Sequence, residues 1–137
     1  MFRQFFEGRR QFVQAIEWLR AGDPRCASLH WIHFAGQSGI RVSRRILGRH
    51  YLTADEVTGG CTFDDGVCTA TFNIDIHDHD GHDRGLKCQA VPAYEIPFRC
   101  LLPRDRRGLM VAGRCISGDA IAHASYRVTG NAVALGE

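Results

Sequence analysis

The last third of the chain constrains the fold most. From Tyr94 the order is an apolar stretch to Leu102, a basic turn at 103–108, four apolar residues Leu109-Met110-Val111-Ala112, the pair Gly113-Arg114, a run of small residues, and Arg127-Val128-Thr129-Gly130-Asn131. The pattern predicts strands at 94–102 and 109–112, a small-residue loop after Arg114, and a helix that opens near Thr129. A strand running into a glycine is a place where backbone, lacking a Cβ, comes close to a ligand, and open α/β sheets bind theirs at strand ends.

Upstream, Phe2, Phe5, Phe6, Phe12, Val13, Ile16 and Leu19 recur at helical spacing, opposed by Arg3, Gln4, Arg10, Gln14 and Glu17. Gly22-Asp23-Pro24 ends that helix, and its aromatic stripe is expected to be core. Residues 28–34 and 39–47 are β-like about the turn Gly36-Gln37-Ser38-Gly39. Thr53 with Glu56 forms a capping box and starts a short helix; 69–77 alternates like a strand, and 79–90 is a polar loop. A hydrophobic content of 45% with 23% charge is that of a globular chain. Seventeen basic residues interspersed with fifteen acidic ones give no nucleic-acid footprint, and no apolar run approaches the roughly 20 residues of a membrane span. The six cysteines form no C-x-x-C pair and the first ten residues are charged rather than signal-like, so reduced thiols and a cytoplasmic location are expected.

Five segments stand in a fixed order. Gly39-Ile40-Arg41-Val42-Ser43-Arg44-Arg45-Ile46-Leu47-Gly48 leads into Leu52-Thr53-Ala54-Asp55-Glu56-Val57. Phe63-Asp64-Asp65, Ile74-Asp75-Ile76-His77-Asp78 and Ile96-Pro97-Phe98-Arg99-Cys100-Leu101-Leu102-Pro103 follow, and the Gly113-to-Asn131 region closes the series. Over about 39–137 this order resembles the FAD-dependent oxidoreductase family, glutathione-reductase-like flavoproteins with distant relatives among the heterodisulfide reductases. The resemblance implies an α+β / α/β fragment: residues 1–98 as part of a β-sheet substrate-binding domain with flanking helices, and 99–137 as the C-terminal strands and truncated last helix of an FAD-binding domain. Relatives grip the FAD pyrophosphate with a strand, a G-x-G-x-x-G turn and a helix, and no such glycine spacing occurs in these 137 residues. The implied function is hydride transfer from a small-molecule substrate to flavin. FAD is expected to bind only together with the missing half, which a separate N-terminal polypeptide would supply, and the isolated chain is expected to be inactive.

The same resemblance places Gly113 and Arg114 beside the flavin, where the guanidinium reaches a phosphate or ribityl oxygen. It places Gly130 and Asn131 in the first turn of a helix whose positive end faces the ring and favours its reduced, anionic form. His123 and Arg127, four residues apart, are the catalytic candidates, one to move a proton and the other to hold a substrate carboxylate. Many relatives carry a further histidine where this chain has Ala120. Of Arg41, Arg44 and Arg45, Arg44 is expected to lie inside and touch substrate, because a strand would place it on the face of Val42 and Ile46.

His77-Asp78-His79-Asp80-Gly81-His82-Asp83 offers ligands that suit zinc, yet its first part belongs to the marker and the rest to a polar loop, so no metal residue is assigned. A metal-binding module built on 77–83 is one rival reading, and a non-catalytic product of a split gene is the other. Iron–sulfur clusters occur in larger relatives but need closely spaced cysteines that this chain lacks; Cys100 and Cys115 read as small core residues.

Overall fold

The computed structural model describes residues 2–36, 39–76 and 87–137. It divides into two compact units, Met1–Ile40 and Arg41–Glu137.

The first unit is built on helix α1, Phe2–Gly22. The Gly-Asp-Pro sequence ends it as expected: Asp23 N–H still reaches Leu19 O at 3.0 Å, and the Asp23 carboxylate then caps a single 3-10 turn, Pro24–Cys26, through Arg25 N–H at 2.9 Å. Phe34 returns to the helix, edge-on to Phe12 at 5.2 Å, beside Trp31 at 4.8 Å and under the Arg9 guanidinium at 5.3 Å. The aromatic stripe is not core here. Among the described side chains of α1 only Ile16 is buried, because one helix and a short returning segment form less than the two layers that bury an apolar face. Residues 28–34 form no strand.

The second unit is held by three chain segments bonded to one another rather than by a large sheet. Ile46 N–H donates to Cys115 O at 2.9 Å, Arg49 N–H to Leu102 O at 3.0 Å, Ser117 N–H to Cys100 O at 3.0 Å and Asp119 N–H to Leu52 O at 2.9 Å. Residues 46–52, 99–104 and 111–119 are thereby laced together, with only isolated bridges at Gly48–Pro103 and Leu52–Gly118. The expected strands at 39–47 and 109–112 are therefore extended backbone without a ladder; in the latter, Val111 N–H reaches Leu101 O at 3.0 Å while Leu109 and Met110 stay exposed.

Helix α2, Ala54–Gly59, begins at the capping box foreseen from Thr53 and Glu56 and closes on Gly60 in the left-handed region, φ +65°. Strand β1, Gly66–Ala70, pairs antiparallel with β4, Tyr94–Pro97, and β2, Ile74–Ile76, pairs antiparallel with β3, Lys87–Gln89. The alternating stretch at 69–77 is thus two strands of different sheets, and β3 lies where a loop was expected. The apolar run after Tyr94 leaves the sheet at Pro97 and turns through a 3-10 segment, Phe98–Cys100, because Asp65 accepts from both the backbone and the guanidinium of Arg99 at 2.9–3.1 Å.

The small-residue loop after Arg114 proves to be a helix, α3, Ala120–Tyr126, followed by α4, Thr129–Ala134. Asp119 opens α3 by accepting from Ile121 and Ala122 N–H at 2.9 and 2.7 Å, and its second oxygen accepts from Ala54 N–H at the head of α2 at 2.7 Å. One carboxylate caps two helices. Leu52, Val57, Ala70, Ile74, Tyr94, Ile96, Cys100, Leu101, Ile116, Ala122 and Tyr126 form the core, which joins residues on both sides of position 98. The architecture is mixed α+β, with two small antiparallel sheets among the described residues.

Candidate functional site

Gly113 opens a 3-10 turn, Gly113–Cys115, with φ +75°, a conformation that a side chain strains and glycine does not. A Cβ at this position would lie 3.4 Å from the Ala132 Cβ, so the Gly-Arg turn rests directly on α4. Helix α4 starts at Val128, whose side chain provides no cap, and the N–H groups of Thr129, Gly130 and Asn131 have no acceptor among the described residues. Nothing lies within 4 Å of where a Gly130 Cβ would be. Asn131 ties the helix back to α3 by donating from Nδ2 to Tyr126 O at 3.4 Å, and Arg114 is exposed. Gly113 and Arg114 thus meet the helix that carries Gly130 and Asn131. That junction combines close backbone, open N–H donors and a guanidinium.

His123 sits behind this turn on α3. It is 1% exposed and stands edge-on to Tyr126 at 5.3 Å. Burial, then the charges of Arg45 and Arg127, push its imidazole down to about 4, opposed by a backbone hydrogen bond with Arg114. The ring is neutral at pH 7. Its Nε2 is buried with no hydrogen-bond partner among the described residues. Arg127 is half-buried and donates from Nη2 to the Asp75 carbonyl oxygen in β2 at 2.7 Å; burial and the charge of Arg41 hold it below the usual guanidinium range. His123 and Arg127 are therefore neighbours, as their spacing on one helix implies, but each is drawn into packing.

Arg44 is exposed and Arg45 is the half-buried member of the arginine cluster, so the inward residue is corrected by one position. The expectation rested on strand alternation, and the segment is not a strand. Arg45, whose charge reaches both His123 and Tyr126, was missed for that reason. Asp119 was missed too, although an aspartate just ahead of an alanine-rich run is a readable N-cap signal. Beneath the site Tyr94 OH meets Ser125 Oγ at 2.8 Å and Ser125 donates to the Phe72 carbonyl, a buried link between β4, α3 and the β1–β2 connection in which burial raises the Tyr94 hydroxyl to about 12.

The histidine–aspartate cluster at 77–83 lies outside the described residues. Among the described residues no group of three His, Cys, Asp or Glu is placed to hold a metal. All six cysteines are free thiols. Cys100 is fully buried in the core, with its thiol raised to about 12 by burial; Cys115 is half-buried rather than core.

A family model described as FAD dependent oxidoreductase matches residues 3–137, and the chain belongs to that family. The match extends upstream of the markers that begin at residue 39 and takes in most of α1. Comparison with curated proteins and with solved structures found no match. Membership sets the chemical class as flavin-linked oxidation and reduction. The residues present fit one part of such a cofactor: unpaired N–H groups at the start of α4 and the Cβ-free turn at Gly113 suit an electronegative ring edge and a close-lying chain. No helix among the described residues is long and apolar enough to cross a membrane.

Proposed function

We propose that this chain supplies the substrate-side and ring-side portion of a glutathione-reductase-like FAD-dependent oxidoreductase that oxidises a small molecule in the cytoplasm. The observation that carries the reading is the junction of the Gly113-Arg114 turn with the uncapped start of α4. Residues 1–98 belong to the substrate domain and 99–137 to the flavin domain. The pyrophosphate-binding unit, for which these 137 residues hold no G-x-G-x-x-G, is provided by other polypeptide.

Gly113, Arg114, Gly130 and Asn131 would hold the flavin, which when bound supplies the hydride acceptor. The open N–H groups of α4 favour negative charge beside them. Arg45 and Arg127 place positive charge next to His123, suited to an anionic substrate group, with Arg44 at the outer margin. His123 is the proton acceptor, neutral at pH 7 and uncommitted at Nε2. Since Nε2 is sealed, the step requires the ring to be uncovered once substrate and nucleotide-binding polypeptide are in place.

Gly130→Asp tests the helix start. The open space at Gly130 accepts the side chain, and the added carboxylate opposes an anionic reduced ring. In the flavin-loaded assembly the midpoint potential should fall by about 30 mV or more, equivalent to about 1.4 kcal/mol for a two-electron couple. An unchanged potential removes α4 from the ring.

A further inference from the structure

We propose that the arginine-rich surface formed by residues 47–49 and 104–110 docks the acidic face of a second protein. The two segments are held side by side: Arg49 N–H donates to Leu102 O at 3.0 Å, Arg104 N–H donates to Leu47 O at 2.9 Å, and Gly48 bridges Pro103. This pairing brings Arg49 beside the turn that carries Arg104, Arg106 and Arg107, all exposed. Arg104 contacts Asp105 at 3.3 Å, an exposed pair of little energetic weight. The guanidiniums of Arg49, Arg106 and Arg107 have no hydrogen bond or ion pair among the described residues. Leu47, Leu109 and Met110, on the same two segments, are 48, 52 and 56% exposed. Like charges crowded on two paired segments repel, and carboxylates arriving from outside would relieve that repulsion.

The chemistry favours a protein over a lipid surface. A guanidinium presents a rigid fork that matches a carboxylate bidentately, and arginine and methionine are enriched at protein interfaces whereas lysine is depleted. The apolar component of the patch is three side chains on extended and turn backbone, not the broad face of an amphipathic helix that anchors on a bilayer. An acidic partner with one apolar anchor satisfies both components.

The test uses the whole 137-residue chain and a labelled peptide of alternating glutamate and leucine, with a glutamine-for-glutamate control, followed by fluorescence anisotropy. The acidic peptide should bind, the control should bind at least about tenfold more weakly, and raising salt severalfold should weaken the acidic complex by about tenfold. Arg106→Glu/Arg107→Glu should lose the acidic peptide and gain a lysine–leucine one. Arg49→Glu provides a second variant should the first fail to fold, and Met110→Ser should weaken binding severalfold. Binding that ignores these charge reversals, no binding at all, or stronger binding to phosphatidylserine vesicles or to single-stranded DNA overturns the proposal.

Discussion

His123 is the residue whose environment has the plainest measurable consequence. An exposed histidine titrates near 6.5, whereas burial and two arginines hold this one at about 4. Above about pH 6.5 the ring is neutral in folded and unfolded chain alike, and its contribution to stability is fully present. As pH falls from about 6.5 to about 4 the unfolded chain takes up a proton that the folded one refuses, so stability falls through that window and levels off below it. The loss amounts to about 2–4 kcal/mol. His123→Asn keeps a polar side chain at this buried position and removes the titration. Urea unfolding at pH 7 and pH 5 should show a smaller drop for the variant than for the wild type; equal drops would show that His123 is not the group responsible. Residue-level backbone features were legible in the sequence where local geometry alone decides, as with the turn at Gly113, whose φ is positive. They were not legible where the deciding neighbour is distant: whether Arg44 or Arg45 turns inward depends on the lacing of 46–52 to 115–119, which leaves no periodic trace.

Asp119 is the equivalent test at the scale of elements. It accepts from two N–H groups of α3 and one of α2, whereas Thr53 caps α2 alone. Since a lost cap costs about 0.5–2 kcal/mol, Asp119→Ala should destabilise by roughly 2–3 kcal/mol and Thr53→Ala by about 1. Chemical denaturation of both variants checks the order, and a smaller loss for Asp119→Ala than for Thr53→Ala contradicts the shared cap. The elements read correctly beforehand are those with a signal inside a few residues: α1 with its Gly-Asp-Pro stop, α2 with its capping box, and the start of α4 near Thr129. The misread ones depend on partners far along the chain. Residues 109–112 are apolar and extended yet have no neighbouring strand to make a ladder, and 69–77 is divided because Ala70 and Ile74 pair with different strands. Alanine and serine between 115 and 126 resembled a loop, although alanine has the highest helix propensity and Asp119 supplied the start.

For the whole molecule, the function proposed above joins family membership to the Gly113–α4 junction: the chain would carry ring-side contacts for a flavin, and other polypeptide would supply the unit that grips its pyrophosphate. The adenine, ribose and pyrophosphate give most of a dinucleotide's buried surface and its charge-assisted bonds, and α4 is a six-residue helix that depends on its neighbours for order. The isolated chain should therefore hold FAD weakly or not at all. The decisive measurement is the visible flavin spectrum of the protein after incubation with excess FAD and desalting, made on the chain alone and on the chain co-expressed with a polypeptide that carries a G-x-G-x-x-G nucleotide-binding unit. Flavin retained in stoichiometric amount only by the co-expressed assembly is the expected result; a stoichiometrically yellow isolated chain, or a colourless assembly, contradicts the account.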